Sequence, residues 1–99
     1  MKVKDFILLD TQLKAKCGIG ITELHLLSFI AEKMESKQVT ITLLLDQYNH
    51  ASPATTHKRL DALIKAKIIK KTINDEDSRI KTLGRGIKFD DLVKLLKEF

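Results

Sequence analysis

Hydrophobic residues recur along this chain at a spacing that changes several times, and each change marks an element. From Asp5 to Lys16, the apolar positions Phe6, Leu9 and Leu13 return every three or four residues, the period of a helix face, until Gly18-Ile19-Gly20 interrupts them. Thr22 then offers an N-cap for a second helix reaching about Glu35, whose buried stripe would be Leu24, Leu27, Ile30 and Ala31. After a turn at Ser36-Lys37-Gln38, the β-branched run Val39-Thr40-Ile41 predicts a short strand. Thr42 can cap a third helix that carries Leu44, Leu45 and Tyr48 and ends near Asn49-His50.

Ser52-Pro53 is the sharpest boundary. Serine is favoured at the N-cap, and proline at the first helical position needs no backbone donor. The helix it opens, 53–66, would bury Thr56, Leu60, Leu63 and Ile64. At about 100° per residue its opposite face presents Ala54, Thr55, Lys58, Asp61, Ala62 and Lys65, with Arg59 on the flank. Ile68–Ile73 and Arg79–Leu83 alternate at strand spacing around the turn Asn74–Ser78, which predicts a hairpin. Gly84-Arg85-Gly86 reads as a flexible break. An amphipathic helix over about Ile87–Glu98 follows, with Phe89, Leu92, Val93, Leu96 and Phe99 along one side. The expected class is mainly α with a small antiparallel sheet, in the order α-α-β-α-α-β-β-α. A helix pair followed at once by a two-stranded hairpin is the arrangement of a winged helix-turn-helix.

Ninety-nine residues predict a single domain, divided into an N-terminal helix and turn (1–20), a winged-helix core (21–83) and a C-terminal helix (84–99). Apolar content of 43% and charged content of 31% suit an ordinary soluble protein. The lone Cys17 allows no intrachain disulfide and no cysteine-based metal cluster, and reads as a small apolar residue closing the first helix. No apolar run approaches the ~18 residues of a membrane span, and Met1–Asp5 has no signal-peptide character, so a cytoplasmic location is expected.

Charge changes the picture more. The net value is +5, but residues 52–88 hold ten Lys/Arg against four acids, and all three arginines fall there, so the basic excess sits in about a third of the chain. That segregation is the footprint of a polyanion-binding face. An α-helix fits the major groove of B-DNA, and its N-terminal residues reach base edges while its positive end approaches phosphate. Ser52, Ala54, Thr55, Lys58 and Arg59 occupy those positions here. Lys70, Lys71, Lys81 and Arg85 would follow phosphates beside the hairpin.

These elements resemble the MarR/SarA type of winged-helix transcription regulator over about residues 21–83. Ile21-Thr22-Glu23-Leu24-His25-Leu26-Leu27 is similar to the start of that family's second helix, and Ser52-Pro53-Ala54-Thr55 to the opening of its recognition helix. Leu60–Ile69 resembles the helix-to-wing passage, and Asn74-Asp75-Glu76-Asp77-Ser78-Arg79 the wing motif Asp-x-x-Asp-x-Arg, with Asn74 in place of the first aspartate. The resemblance implies that Arg79 enters a minor groove. Asn74 would then close the wing turn through an Asx-type bond, and Asp77 would brace the guanidinium. Where that family places glycine after the recognition helix, this chain has Lys67: either a left-handed lysine at a cost of about 1 kcal/mol, or a different helix end.

The expected function is sequence-specific binding of double-stranded DNA and transcriptional regulation, by repression through occlusion. Recognition helix 53–66 would sit in the major groove and wing 68–83 at the minor groove. The terminal apolar side (Phe89, Leu92, Val93, Leu96, Phe99) would pack on the first helix or join a homodimer mate. Two other readings share the residues: a protein-interaction module whose basic face docks on an acidic partner, and a replication or partition factor of a mobile element. Catalysis finds no support. His25, His50 and His57 are scattered in sequence, Gly18-Ile19-Gly20 lacks the rest of a phosphate-loop fingerprint, and no cofactor or metal is expected.

Overall fold

The computed structural model describes residues 2–97. Its elements are α1 (Val3–Lys16), α2 (Ile21–Met34), β1 (Val39–Thr40), α3 (Ile41–Gln47), α4 (Pro53–Lys65), β2 (Ile69–Ile73), β3 (Lys81–Arg85) and α5 (Phe89–Lys97), in the expected order. The sheet is antiparallel, ordered β1-β3-β2. One buried cluster draws on every element through residues such as Leu13, Ile30, Val39, Leu44, Leu63, Ile69, Leu83 and Leu92.

Several boundaries differ from the sequence reading, each for a local reason. The N-cap of α2 is Gly20, not Thr22. Asp10 reaches across from α1 to accept the Ile21 N–H at 3.1 Å, and Glu23 folds back to accept that of Gly20 at 3.3 Å. Two carboxylates thus satisfy donors that a threonine cap would have served. The buried stripe of α2 is also rotated: Leu26 is fully buried, while Leu24 and Ala31 are half-buried. Thr40 caps α3, accepting the Leu43 N–H at 3.0 Å, so Ile41 belongs to the helix and Thr42 lies inside it. Burial on α1 begins at Leu9, and Phe6 is 49% exposed instead of core. On α4, Ile64 is half-buried while Thr56, Leu60 and Leu63 carry the core contact.

The hairpin is shifted along the chain. Its second strand is Lys81–Arg85, with Gly84 opposite Lys70 and Arg85 opposite Ile69, so the expected break at Gly84-Arg85-Gly86 is ordered strand and docking loop. Gly86 donates to the Ile68 carbonyl at 2.8 Å and Lys88 to that of Lys67 at 2.9 Å. A side chain on Gly86 would collide with the Lys67 carbonyl, so only glycine allows this approach. Lys67 itself is left-handed, with φ 63°. Its N–H bonds Ile64 at 3.0 Å and the Ile68 N–H bonds Leu63 at 3.1 Å, the two bonds of a Schellman termination.

Helix α5 starts at Phe89, later than expected, because Gly86–Lys88 is spent on the strand and the Lys67 contact; Ile87 stands 81% exposed. Its most buried residues are Leu92 and Leu95. Phe89, Val93 and Leu96 are half-buried and line a cleft of about 180 Å³ with Leu24 and Leu27. The half-buried apolar side of α5 thus shares an open cleft with α2. Phe99, assigned to that side from sequence, lies outside the described residues.

Candidate nucleic-acid interface

The sequence fixes the start of α4 through its first two residues. Ser52 Oγ accepts the Thr55 N–H at 3.2 Å and lies 3.0 Å from Thr55 Oγ1, to which it donates, while Pro53 fills the first helical position. Ser52 thereby spends its proton within the cap. The Thr55 hydroxyl keeps its own proton for an outside acceptor. Ala54 and Lys58 are exposed, and Thr55 and Arg59 half-exposed, so the expected face is turned outward.

That face is not purely cationic. With Thr22 and Glu23 of α2 it encloses a shallow cavity of about 490 Å³ lined also by Thr55, Lys58, Arg59 and Asp61. Burial pushes the Glu23 carboxyl up, but the Thr22 hydroxyl at 2.6 Å, backbone N–H groups and the charge of Arg59 outweigh it and hold the group below the usual range. Glu23 is therefore ionised, and it puts a negative charge in the cavity that Arg59 also lines. Sequence reasoning left Glu23 out of the site, since only the crossing of α2 and α4 brings it there.

The hairpin tip carries the second cluster. Asn74 Oδ1 accepts the N–H groups of Glu76 at 2.8 Å and Asp77 at 3.1 Å, an Asx-type closure. Asp77 accepts three bonds from Arg79: backbone N–H at 3.0 Å, Nε at 3.1 Å and Nη2 at 3.1 Å. The Arg79 hydrogen bonds hold the Asp77 carboxyl below its ordinary range, and Asp77 raises the guanidinium in return. The arginine side chain is nonetheless 90% exposed. Asp77 directs the guanidinium through Nε and Nη2, and its remaining donors face solvent. The acidic residues of the tip thus serve the turn: Asp77 orders the arginine, and Asp75 and Glu76 stay in solvent.

Lys70, Lys71, Lys81 and Arg85 are all exposed along the strands. Lys70 and Lys71 lie near the C-terminal end of α4, whereas Asn74, Asp77 and Arg79 form their own cluster at the far end of the hairpin. The Arg85 guanidinium stacks over Phe89 at 5.1 Å, which draws it toward α5.

The histidines are less scattered than the sequence implies. His25 on α2 bonds the Tyr48 hydroxyl through Nδ1 at 2.7 Å, and the His50 ring lies 4.9 Å from that of His25. His57, on α4, is exposed. No three His, Cys, Asp or Glu side chains among the described residues converge as metal ligands. Cys17 caps α1 against the core, and burial first, then Asp91, pushes its thiol up, which keeps it protonated.

A three-stranded sheet beside a helix-turn-helix defines a winged-helix domain. Solved structures bear out that fold at low sequence identity. A MepR mutant from S. aureus bound to an oligodeoxyribonucleotide is 19% identical, with a TM-score of 0.69 over 91% of this chain and 63% of that one. MarR is 13% identical, with a TM-score of 0.71 over 96% of this chain and 66% of its own. Streptococcus pneumoniae FabT in complex with DNA is 19% identical, with a TM-score of 0.67 over 97% and 66%. The chain thus spans somewhat under two thirds of the length of these three proteins. No family model matches the chain, and no curated protein matches its sequence.

Proposed function

We propose that residues 1–99 form one winged-helix domain that binds double-stranded DNA in a sequence-specific way and represses transcription by occlusion. Recognition helix 53–66 lies in the major groove with Ala54, Thr55, Lys58 and Arg59 toward the bases. The wing, 68–83, presents Arg79 to the minor groove, while Lys70, Lys71, Lys81 and the backbone N–H of Ser52 meet phosphate. The observation that carries this reading is the pose of Arg79, an exposed cation pre-ordered by three bonds to Asp77. Ordering before contact lowers the entropy lost on entering a groove. Two similar winged helices solved with nucleic acid, MepR and FabT, support the partner.

The reading includes a homodimer, which would set two recognition helices about 34 Å apart on a near-palindromic site. Apolar surface for a mate is offered by the cleft side of α5, with Phe89, Val93 and Leu96 half-buried, and by the start of α1, where Val3, Phe6 and Ile7 are exposed. Titration of duplex DNA at increasing salt tests the function. Affinity should fall steeply with salt; Lys71→Ala should weaken all duplexes alike, and Thr55→Ala should relax preference at particular base pairs by ~1–3 kcal/mol. Salt-independent or absent binding would reject the proposal.

A further inference from the structure

The sheet order β1-β3-β2 leaves one edge of β2 without a strand beside it among the described residues. The register tells which backbone groups face that edge. Gly86 donates to Ile68 and Asn74 donates to Ile80, while Ile69 lies opposite Arg85 and Ile73 opposite Lys81. Hydrogen-bonded pairs in an antiparallel ladder recur at every second residue, so Lys70 and Thr72 turn their N–H and C=O toward β3. Ile69, Lys71 and Ile73 therefore turn theirs outward. Ile69 is buried, but Lys71 and Ile73 are exposed, which leaves two successive outward donor–acceptor sets in reach of solvent.

A groove of about 400 Å³ runs beside this edge. Its floor is apolar, formed by Ile64, Ile69 and Ile87, and Lys67, Lys70 and Lys71 ring it. The Lys67 carbonyl is tied to Lys88 and the Gly86 loop is docked on Ile68, so the wall of the groove is built into the fold. Ile87 is the most exposed large apolar residue among those described, at 81%, and the core makes no use of it. Lysines on a strand edge oppose pairing with a second copy, because like charges would stand opposite each other. The same lysines favour a strand of opposite sign.

We propose that the β2 edge docks an extended acidic segment of another protein by strand addition. Its backbone would bond Lys71 and Ile73, an apolar side chain would rest between Ile64, Ile69 and Ile87, and its carboxylates would meet Lys67, Lys70 and Lys71. The outward sets span a segment of about five residues. Lys70 and Lys71 also belong to the proposed DNA face, so a docked acidic strand would compete with duplex. The docking itself does not depend on the DNA reading.

The test uses the full chain, isotope-labelled, and an N-acetylated six-residue peptide alternating aspartate and leucine. Amide exchange at Lys71 and Ile73 should slow on binding, with resonance shifts at Ile64 and Ile87. The same peptide N-methylated at alternate residues, in both frames, should lose binding in the frame that faces β2 while its charge is unchanged. Ile87→Glu, at an exposed position outside the DNA face, should weaken the peptide about tenfold or more. Its duplex affinity, titrated in parallel, separates this outcome from failure of the DNA reading. Equal binding by both N-methylated peptides, undiminished binding by Ile87→Glu, or no slowing at Lys71 and Ile73 in millimolar peptide would overturn the proposal.

Discussion

Lys67→Gly should make the protein more stable. The lysine sits at φ 63°, where its Cβ crowds the neighbouring backbone, and holds that conformation because the Schellman bonds to Ile64 and Leu63 require it. A left-handed non-glycine residue costs roughly 1–2 kcal/mol. Glycine removes that cost but returns ~0.5–1 kcal/mol through the greater freedom of the unfolded chain. The difference runs from about zero to about 1.5 kcal/mol, with a central net gain of about 0.5–1 kcal/mol. For a domain of this size it corresponds to a rise in Tm of roughly 2–8 °C. Urea titration followed by circular dichroism measures it directly, and an unchanged slope of free energy against urea would place the effect on stability. An unchanged or lowered midpoint would refute the reasoning, showing that the Lys67 side chain contributes as much as its backbone conformation costs.

Three further substitutions probe other parts of the account. Gly86→Ala should destabilise by about 1–3 kcal/mol, since the new methyl meets the Lys67 backbone rather than a movable side chain; urea titration reads the loss. Asp77→Ala should leave the urea midpoint nearly unchanged but weaken duplex DNA roughly two- to tenfold, as Arg79 must then be ordered on binding; fluorescence anisotropy reports it. Asp10 is bonded by Lys14, and by the Ile21 N–H, so its folded carboxyl titrates below the ordinary value of 3.8. A depressed carboxyl stabilises fully above its unfolded pKa and loses that contribution as pH falls through the folded one. Asp10→Asn should therefore lower stability at neutral pH and flatten its decline below about pH 4, which a series of Tm measurements from pH 2 to 7 checks.

What could be read from the sequence was the chemistry that operates between near neighbours. Ser52-Pro53 announces α4 because cap and first turn are local, and Asn74, Asp77 and Arg79 lie close enough in sequence for their bonds to follow from side-chain reach. The left-handed Lys67 was foreseeable from the place where glycine is usual. What escaped was set by contacts between distant segments. Asp10 displaces Thr22 as the partner of the α2 terminus across the α1–α2 corner. Gly86 becomes a docking residue only when β2 has brought Lys67 beside it, which also delays α5. His25 meets Tyr48 and His50 through the turn between α3 and α4, and Glu23 comes to line one cavity with Arg59 through a helix crossing. Periodicity likewise cannot show that the first turns of α1 lie beyond the core, which is why Phe6 looked buried.

Whether the start of α4 and the tip of the wing receive the same ligand is open to direct measurement, by mapping backbone amide shifts while a short duplex is added at low salt. The account predicts changes concentrated at 52–59, 70–71 and 77–81, with α1 and α5 quiet apart from any dimer contact. A map that leaves Arg79 and Lys58 both unmoved while the duplex binds elsewhere would contradict it.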